Sequence, residues 1–233
     1  MRLMPLSARS EQSEQMDDAA LDLPAYATVL RDLTIVNRWT LAARPTLSFL
    51  QRATASRRRF RLLDVGFGSG DMLRAIRSWS QTRGIDADLV GVDQDPRSAA
   101  VAIAATPPWM RIDFVTGDYR ELAGGFDFVI SSLVAHHMSD QEIVRFLRFM
   151  EQTARSGWLI NDLHRRRLAI ILFGALASLL GIHPIVRSDG MLSVARSFRQ
   201  EDWTRLLGRA GLTQSGARVV RYFPFRLCVE RLL

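Results

Sequence analysis

Three closely spaced glycines directly after a short apolar segment constrain this chain more than any other feature. The stretch reads Leu62-Leu63-Asp64-Val65-Gly66-Phe67-Gly68-Ser69-Gly70-Asp71. Phe60 to Val65 predicts a buried strand, and Met72, Leu73, Ile76 and Trp79 share one helical face over Asp71 to Ser80. A strand that runs through glycines into a helix makes a tight turn whose backbone can approach a ligand closely. The free N–H groups at the helix start favour an anionic group such as a carboxylate. Dinucleotide sites space their glycines G-x-G-x-x-G; here the spacing is G-x-G-x-G, and Asp64 stands two residues before the first. A carboxylate there suits a ligand with an ammonium group and repels a pyrophosphate. The same turn also serves as a plain structural joint, so the other strand ends must decide.

Strands and helices alternate beyond it. Asp88 to Val92, Arg111 to Thr116, Phe126 to Ser131 and Gly157 to Asp162 read as further strands. Asp95-Pro96 opens a helix with an acidic cap and proline in the first turn. Ser139 and Glu142 have the spacing of a capping box. Gln200 to Arg209 is helical, and Ala217 to Tyr222 and Phe225 to Arg231 read as a final hairpin. The expectation is an α/β fold with a doubly wound, mostly parallel seven-stranded sheet. Before it, Tyr26, Val29, Leu30, Leu33, Val36 and Trp39 recur at helical spacing, and Leu41 to Leu50 predicts a second helix. The expected organisation is a flexible tail over 1–22, a helical cap over 23–56 and the sheet domain over 57–233, with a helical lid at 164–198.

Ligands of such sheets sit at the carboxyl ends of the strands. The second strand ends in Val92-Asp93-Gln94, and an acid there accepts ribose hydroxyls. The third is followed by Gly117-Asp118-Tyr119, where a carboxylate can accept from an adenine amino group. Three acids at three strand ends imply one ligand with an ammonium, a ribose and an adenine: S-adenosyl-L-methionine.

On these residues the chain resembles the class I S-adenosylmethionine-dependent methyltransferases. The resemblance is carried by LDVGFGSG (Leu63 to Gly70), GVDQDP (Gly91 to Pro96), FVTGDYREL (Phe114 to Leu122) and FDFVISSLVAHHM (Phe126 to Met138). It covers roughly Phe60 to Leu233 and looks closest to the small-molecule branch, related to quinone-biosynthesis and polyketide- or phenol-tailoring enzymes. It implies that Asp64, Gly66, Phe67, Gly68 and Gly70 hold the methionine part and that Asp93, with Gln94 beside it, holds the ribose. It places the adenine amino group at Asp118, next to Tyr119, and the sulfonium side along Ser131 and Ser132. The product is then S-adenosyl-L-homocysteine.

His136 and His137, after the fourth strand, and His164, after the fifth, are the candidate catalytic residues, since a histidine can take a proton from a phenol. Each also reads as a loop residue braced by hydrogen bonds. No metal site is expected, because adjacent histidines have poor zinc spacing and no cysteine lies near. The single cysteine, Cys228, excludes a disulfide scaffold. All 31 basic residues are arginine, which excludes lysine Schiff-base chemistry. The net charge of +7 invites a nucleic-acid partner, but the Pro107-Pro108-Trp109 motif precedes the third strand, where base methyltransferases do not carry it. The apolar run from Leu168 to Val186 has the length of a membrane span. It lies between strands of one sheet and is broken by Gly174, Gly181 and Pro184, so it reads as a lid over a greasy pocket, with contact to a membrane surface as the alternative. No secretory signal precedes the fold, and a cytoplasmic location is expected. The expected activity is methyl transfer to an oxygen or carbon of an apolar, phenolic or polyketide-type small molecule. A quinone-ring C-methyltransferase and a non-catalytic cofactor-binding module remain as alternatives.

Overall fold

The structure, a computed structural model, describes residues 6–122, 124–214 and 216–233. Its centre is a seven-stranded sheet of β1 (Arg59–Val65), β2 (Asp86–Asp93), β3 (Ile112–Thr116), β4 (Phe126–Ser132), β5 (Ala154–Leu163), β6 (Arg218–Tyr222) and β7 (Arg226–Leu232), in the order β3-β2-β1-β4-β5-β7-β6. Strands β1 to β5 are parallel, and β7 runs antiparallel between β5 and β6. The order reverses between β1 and β4, which opens the crevice where such sheets take ligands.

Side chains alternate across the sheet. Leu62, Phe128, Leu159 and Cys228 face one core, which is completed by α2 (Ala43–Ala53), α3 (Asp71–Thr82) and α4 (Pro96–Ala105). Leu63, Val129, Trp158 and Val229 face the other, beneath α5 (Asp140–Thr153) and α8 (Gln200–Ala210). The caps follow the sequence. Asp95 accepts from the Arg97 N–H ahead of Pro96, and Ser139 and Glu142 close a reciprocal capping box on α5.

The helices α1 (Leu23–Trp39) and α2 sit over the sheet. Phe49 meets Phe128 edge-on, with ring centroids 6.1 Å apart. Asn161 Nδ2 donates to the Ala42 carbonyl at 2.8 Å and to Thr46 Oγ1 at 3.2 Å, which fixes the turn between the two helices. The apolar run after β5 folds as two helices, α6 (Arg167–Leu179) and α7 (Pro184–Arg196), with Gly181 at φ +62° between them. Gly190 lets them pack, since a Cβ there would lie 2.1 Å from the Phe173 ring. No helix among the described residues is long and apolar enough to cross a membrane.

The expected flexible tail needs correction. Residues 1–5 lie outside the described residues, but residues 6–22 are tied to the fold at particular points, with Leu6 and Glu14 buried and most of the rest exposed. Arg9 donates to the carbonyls of Arg196 and Met138, each at 2.8 Å, and stacks over Phe198. Of the polar side chains that suggested a solvated tail, Glu14 meets Ser193 and Asp17 meets His137 within the fold.

The Phe49→Ala variant tests how the cap is anchored. Removing this fully buried ring should cost about 3–5 kcal/mol, read as a lower urea midpoint with an unchanged circular dichroism spectrum.

Candidate active site

A cavity of about 650 Å³ opens at the carboxyl ends of β1 and β4. Its walls are the glycine turn, the inner face of α1, the strap of residues 6–22 and the α6–α7 pair. Its lining includes the carboxylates Asp64 and Asp93 and the apolar side chains Leu172, Phe173 and Leu176.

Strand β1 delivers Asp64 as a carboxylate only 1% exposed whose Oδ1 meets no donor. Burial, reinforced by the charges of Asp71 and Asp93, holds its pKa well above the usual carboxylate range. An ammonium group is the ligand chemistry that such a carboxylate lacks. Gly66, Gly68 and Gly70 all take positive φ, at +78°, +51° and +74°. Space above Gly68 is open, the nearest atom to a Cβ being a Leu30 methyl at 3.8 Å, so a larger residue there fails through its backbone conformation. No side chain caps the start of α3, which leaves its N–H groups to a ligand.

Asp93 ends β2 with its carboxylate pre-set by two backbone donors. Gly68 N–H reaches Oδ2 at 2.9 Å and Asp95 N–H reaches Oδ1 at 3.0 Å. Burial raises its pKa, and those two hydrogen bonds oppose the rise. Phe67, Gln94, Gly117, Tyr119 and Ser132 line the same cavity, and the buried Ser132 hydroxyl has no partner there.

Three expected positions are placed differently. Asp118 does not line the cavity. Its carboxylate accepts from the Arg120 N–H and pairs with the Arg120 guanidinium, because that cation stands two residues on and closes the turn. Ser131 points under the cavity and donates to the Val65 carbonyl at 2.8 Å. Gly70 sits behind the lining, where a Cβ would strike Phe114 at 2.8 Å, so it serves the packing of the turn.

Of the three histidines, two face the cavity. His136 is buried, with Nδ1 2.8 Å from Asp162 Oδ1, while its own N–H bonds the other Asp162 oxygen at 3.0 Å. Burial alone would raise the Asp162 pKa; His136 and the N–H groups of Leu163 and His136 bring it below the usual value. His137 places Nδ1 3.1 Å from Asp17. Burial pulls the His137 pKa down, and the Asp17 hydrogen bond with the Glu14 and Asp17 charges outweighs it and raises it. His164 corrects the expectation: it lines a separate cavity with Arg166, Arg199 and Arg221 and accepts from Arg166 Nε at 3.3 Å. A strand end sets where a residue lies, and here the next turn aims its ring away from the cavity.

The sequence reading missed the contribution of α1 and the strap. Tyr26, Leu30, Leu33 and Val36, read as a core stripe, line the cavity, and Tyr26 donates to or accepts from Ser98 Oγ at 2.9 Å beside Asp93. Glu14 and Asp17 sit in a polar stretch with no local signal of burial.

Residues 62–157 match a family model described as a methyltransferase domain. No curated protein matches the chain. Among solved structures, it is similar to magnesium protoporphyrin IX methyltransferase from Synechocystis PCC 6803 with bound SAH. The identity is 16%, over 92% of this chain and 89% of that one, with a TM-score of 0.53. It is also similar to human N-acetylserotonin methyltransferase in complex with SAM, at 17% identity over 90% of this chain and 56% of that one, TM-score 0.62. A third is a plantazolicin methyltransferase in complex with a pentazolic desmethylPZN analog and SAH, at 14% identity over 90% and 95%, TM-score 0.62. At these identities the likeness is one of fold.

His164 makes a pH-dependent contribution to stability that can be measured. Burial, then Arg166 and Arg221, lower its pKa from 6.5 to about 4. Between those values the unfolded chain binds a proton that the folded chain does not, so stability falls as pH drops through the window and is unaffected above it. The His164→Gln variant should show a shallower loss of stability from pH 6.5 to pH 4 in denaturant titrations; an unchanged slope contradicts the assignment.

Proposed function

We propose that this chain, which carries the class I S-adenosylmethionine-dependent methyltransferase domain, moves the sulfonium methyl of that cofactor onto an oxygen of an apolar, phenol-type small molecule. One observation carries the reading. A single cavity joins a buried, unpartnered carboxylate and a glycine turn to paired histidines and an apolar wall. The proteins similar in fold are named for small acceptors, N-acetylserotonin and magnesium protoporphyrin IX among them, which favours a small acceptor here too.

When bound, the cofactor supplies an electrophilic methyl on a positively charged sulfur. In this reading Asp64 pairs with its ammonium group, the N–H groups opening α3 take its carboxylate, and Asp93 accepts from the ribose hydroxyls. Gly117 and Tyr119 face the adenine. Asp118, turned to Arg120, contributes by closing the turn behind them. Leu172, Phe173 and Leu176 on α6 cover the acceptor and keep water from the reacting centre, which strengthens every charge interaction inside. His136 and His137 receive the acceptor's hydroxyl at the far side. Because Asp162 and Asp17 fix both rings through Nδ1, the second nitrogen of each is set beside Glu14 on the side of the cavity that takes that hydroxyl. The α6 wall is a lid in this account.

Calorimetry and turnover against a panel of phenols test the cofactor and acceptor sites separately. Asp93→Ala should weaken cofactor binding by about 1.5–3 kcal/mol, the range for a hydrogen bond to a charged group. Leu172→Ala and Leu176→Ala should raise acceptor KM and leave cofactor affinity unchanged, each lost contact being worth up to about 2 kcal/mol. Normal cofactor affinity in a folded Asp93→Ala protein removes the ribose assignment, and no turnover of any phenol removes the acceptor class.

A further inference from the structure

Glu14, His136 and His137 converge on the acceptor side of the cavity, with one ligand atom of each within 4.8 Å of the others. We propose that these three residues bind a divalent transition-metal ion of the zinc class, which takes the acceptor's oxygen. The inference rests on reading this cavity as an acceptor site.

The argument begins with hydrogen-bond chemistry. An ionised carboxylate only accepts. His136 Nδ1 faces Asp162 at 2.8 Å and His137 Nδ1 faces Asp17 at 3.1 Å, so both Nδ1 atoms carry the proton. Each Nε2 is then the atom left to meet a ligand, and a metal ion would displace any proton it carries. Both nitrogens lie near Glu14: His136 Nε2 is 3.6 Å from Oε1 and His137 Nε2 is 3.7 Å from Oε2. Two imidazole nitrogens and the two oxygens of one carboxylate thus face one another. Both separations are too long for a hydrogen bond. They come close to the roughly 3.4 Å between neighbouring ligands of a tetrahedral ion with bonds of about 2.1 Å.

The surroundings agree. Metal-bound histidines are held by a carboxylate or carbonyl on the other ring nitrogen, and here both rings have one. Glu14, itself buried, is fixed by Ser193 Oγ at 2.9 Å. The nearby cation, Arg196, directs its donors to the carbonyls of Gln12, His136 and His137 and approaches Glu14 only to 3.9 Å. Adjacent histidines argued against a metal in the sequence because their third ligand was out of sight. It comes from the strap, far earlier in the chain.

Two imidazoles and one carboxylate leave a coordination position open, the pattern of a catalytic rather than a structural site. All three residues line the cavity. An acceptor hydroxyl bound there is more acidic. Its proton leaves to solvent, the oxygen's electron pair forms the new C–O bond, and the methyl–sulfur bond breaks with its pair going to sulfur.

The test uses the untagged full chain, stripped with a chelator and titrated with Zn²⁺ alone by calorimetry, and with Co²⁺ by visible absorption. One equivalent should bind, with Co²⁺ bands typical of nitrogen and oxygen ligands. Glu14→Gln and His137→Gln should weaken binding by at least about tenfold, whereas His183→Gln, outside the cluster, should match the parent chain. S-adenosyl-L-homocysteine affinity, measured on the same samples, should survive the chelator while acceptor turnover falls. Equal Zn²⁺ binding by the parent chain and both cluster variants, or none by the parent chain, overturns the cation site. If turnover then persists in chelator, the methyltransferase reading stands without it. Zn²⁺ uptake by a chain that binds no S-adenosyl-L-homocysteine would overturn the functional reading instead. Should Glu14→Gln fail to fold, His137→Gln and the Co²⁺ spectrum of the parent chain decide the matter.

Discussion

An isolated carboxylate at the end of the central strand sets the terms for everything around it. Asp64 is almost wholly buried, and one of its oxygens meets no donor. Burying a charge without a partner is among the most costly arrangements a fold can contain. The neighbouring Asp71 and Asp93 make it worse. A chain gains nothing in stability from such a residue, so the cost is informative. In the proposed reading, the rest of the site follows from keeping this group dry until a cationic ligand meets it. The glycine turn leaves room beside it, α1 roofs it with Tyr26, Leu30 and Leu33, and the strap and α6–α7 close the far side.

Arginine forks hold that enclosure together. Arg9 joins the strap to the carbonyls of His136, Met138 and Arg196. Arg196 returns the bond from α7 to Gln12, His136 and His137. Arg97 reaches the Asp18 and Leu21 carbonyls, pairs with Asp95 and lies over the Tyr26 ring. Each guanidinium serves several acceptors at once through rigid, planar donors, which an ammonium point charge does not reproduce. The arginine-only basic set, which in the sequence was only a charge count, is a set of staples between segments far apart in the chain.

That difference marks where reading the sequence succeeds. The alternation of strands and helices, the Asp95 and Ser139 caps, the hairpin ending and the glycine turn are local patterns, and each lies where the residues place it. The break of the apolar run at Gly181 and Pro184 was legible for the same reason. Side-chain aim was not. Asp118 and His164 both follow strands, yet Arg120 draws one away from the cavity and an arginine-lined pocket takes the other. Glu14 and Asp17 were invisible because their partners, His136 and His137, lie far along the sequence, 120 residues away in the case of Asp17 and His137. No periodicity carries that pairing.

The most direct test is Asp64→Asn, followed for both unliganded stability and cofactor affinity by thermal unfolding and calorimetry. Replacing a buried carboxyl whose charged form has no partner should leave the free protein as stable as before or more so, since burial disfavours its ionisation. The same change should weaken S-adenosyl-L-methionine binding by about 1.5–3 kcal/mol, because a charge-assisted hydrogen bond to the ammonium group is lost. Stability and affinity moving in opposite directions is the expected result. A destabilised protein that binds the cofactor as tightly as the parent chain would contradict the account, and would make Asp64 a structural residue of the turn.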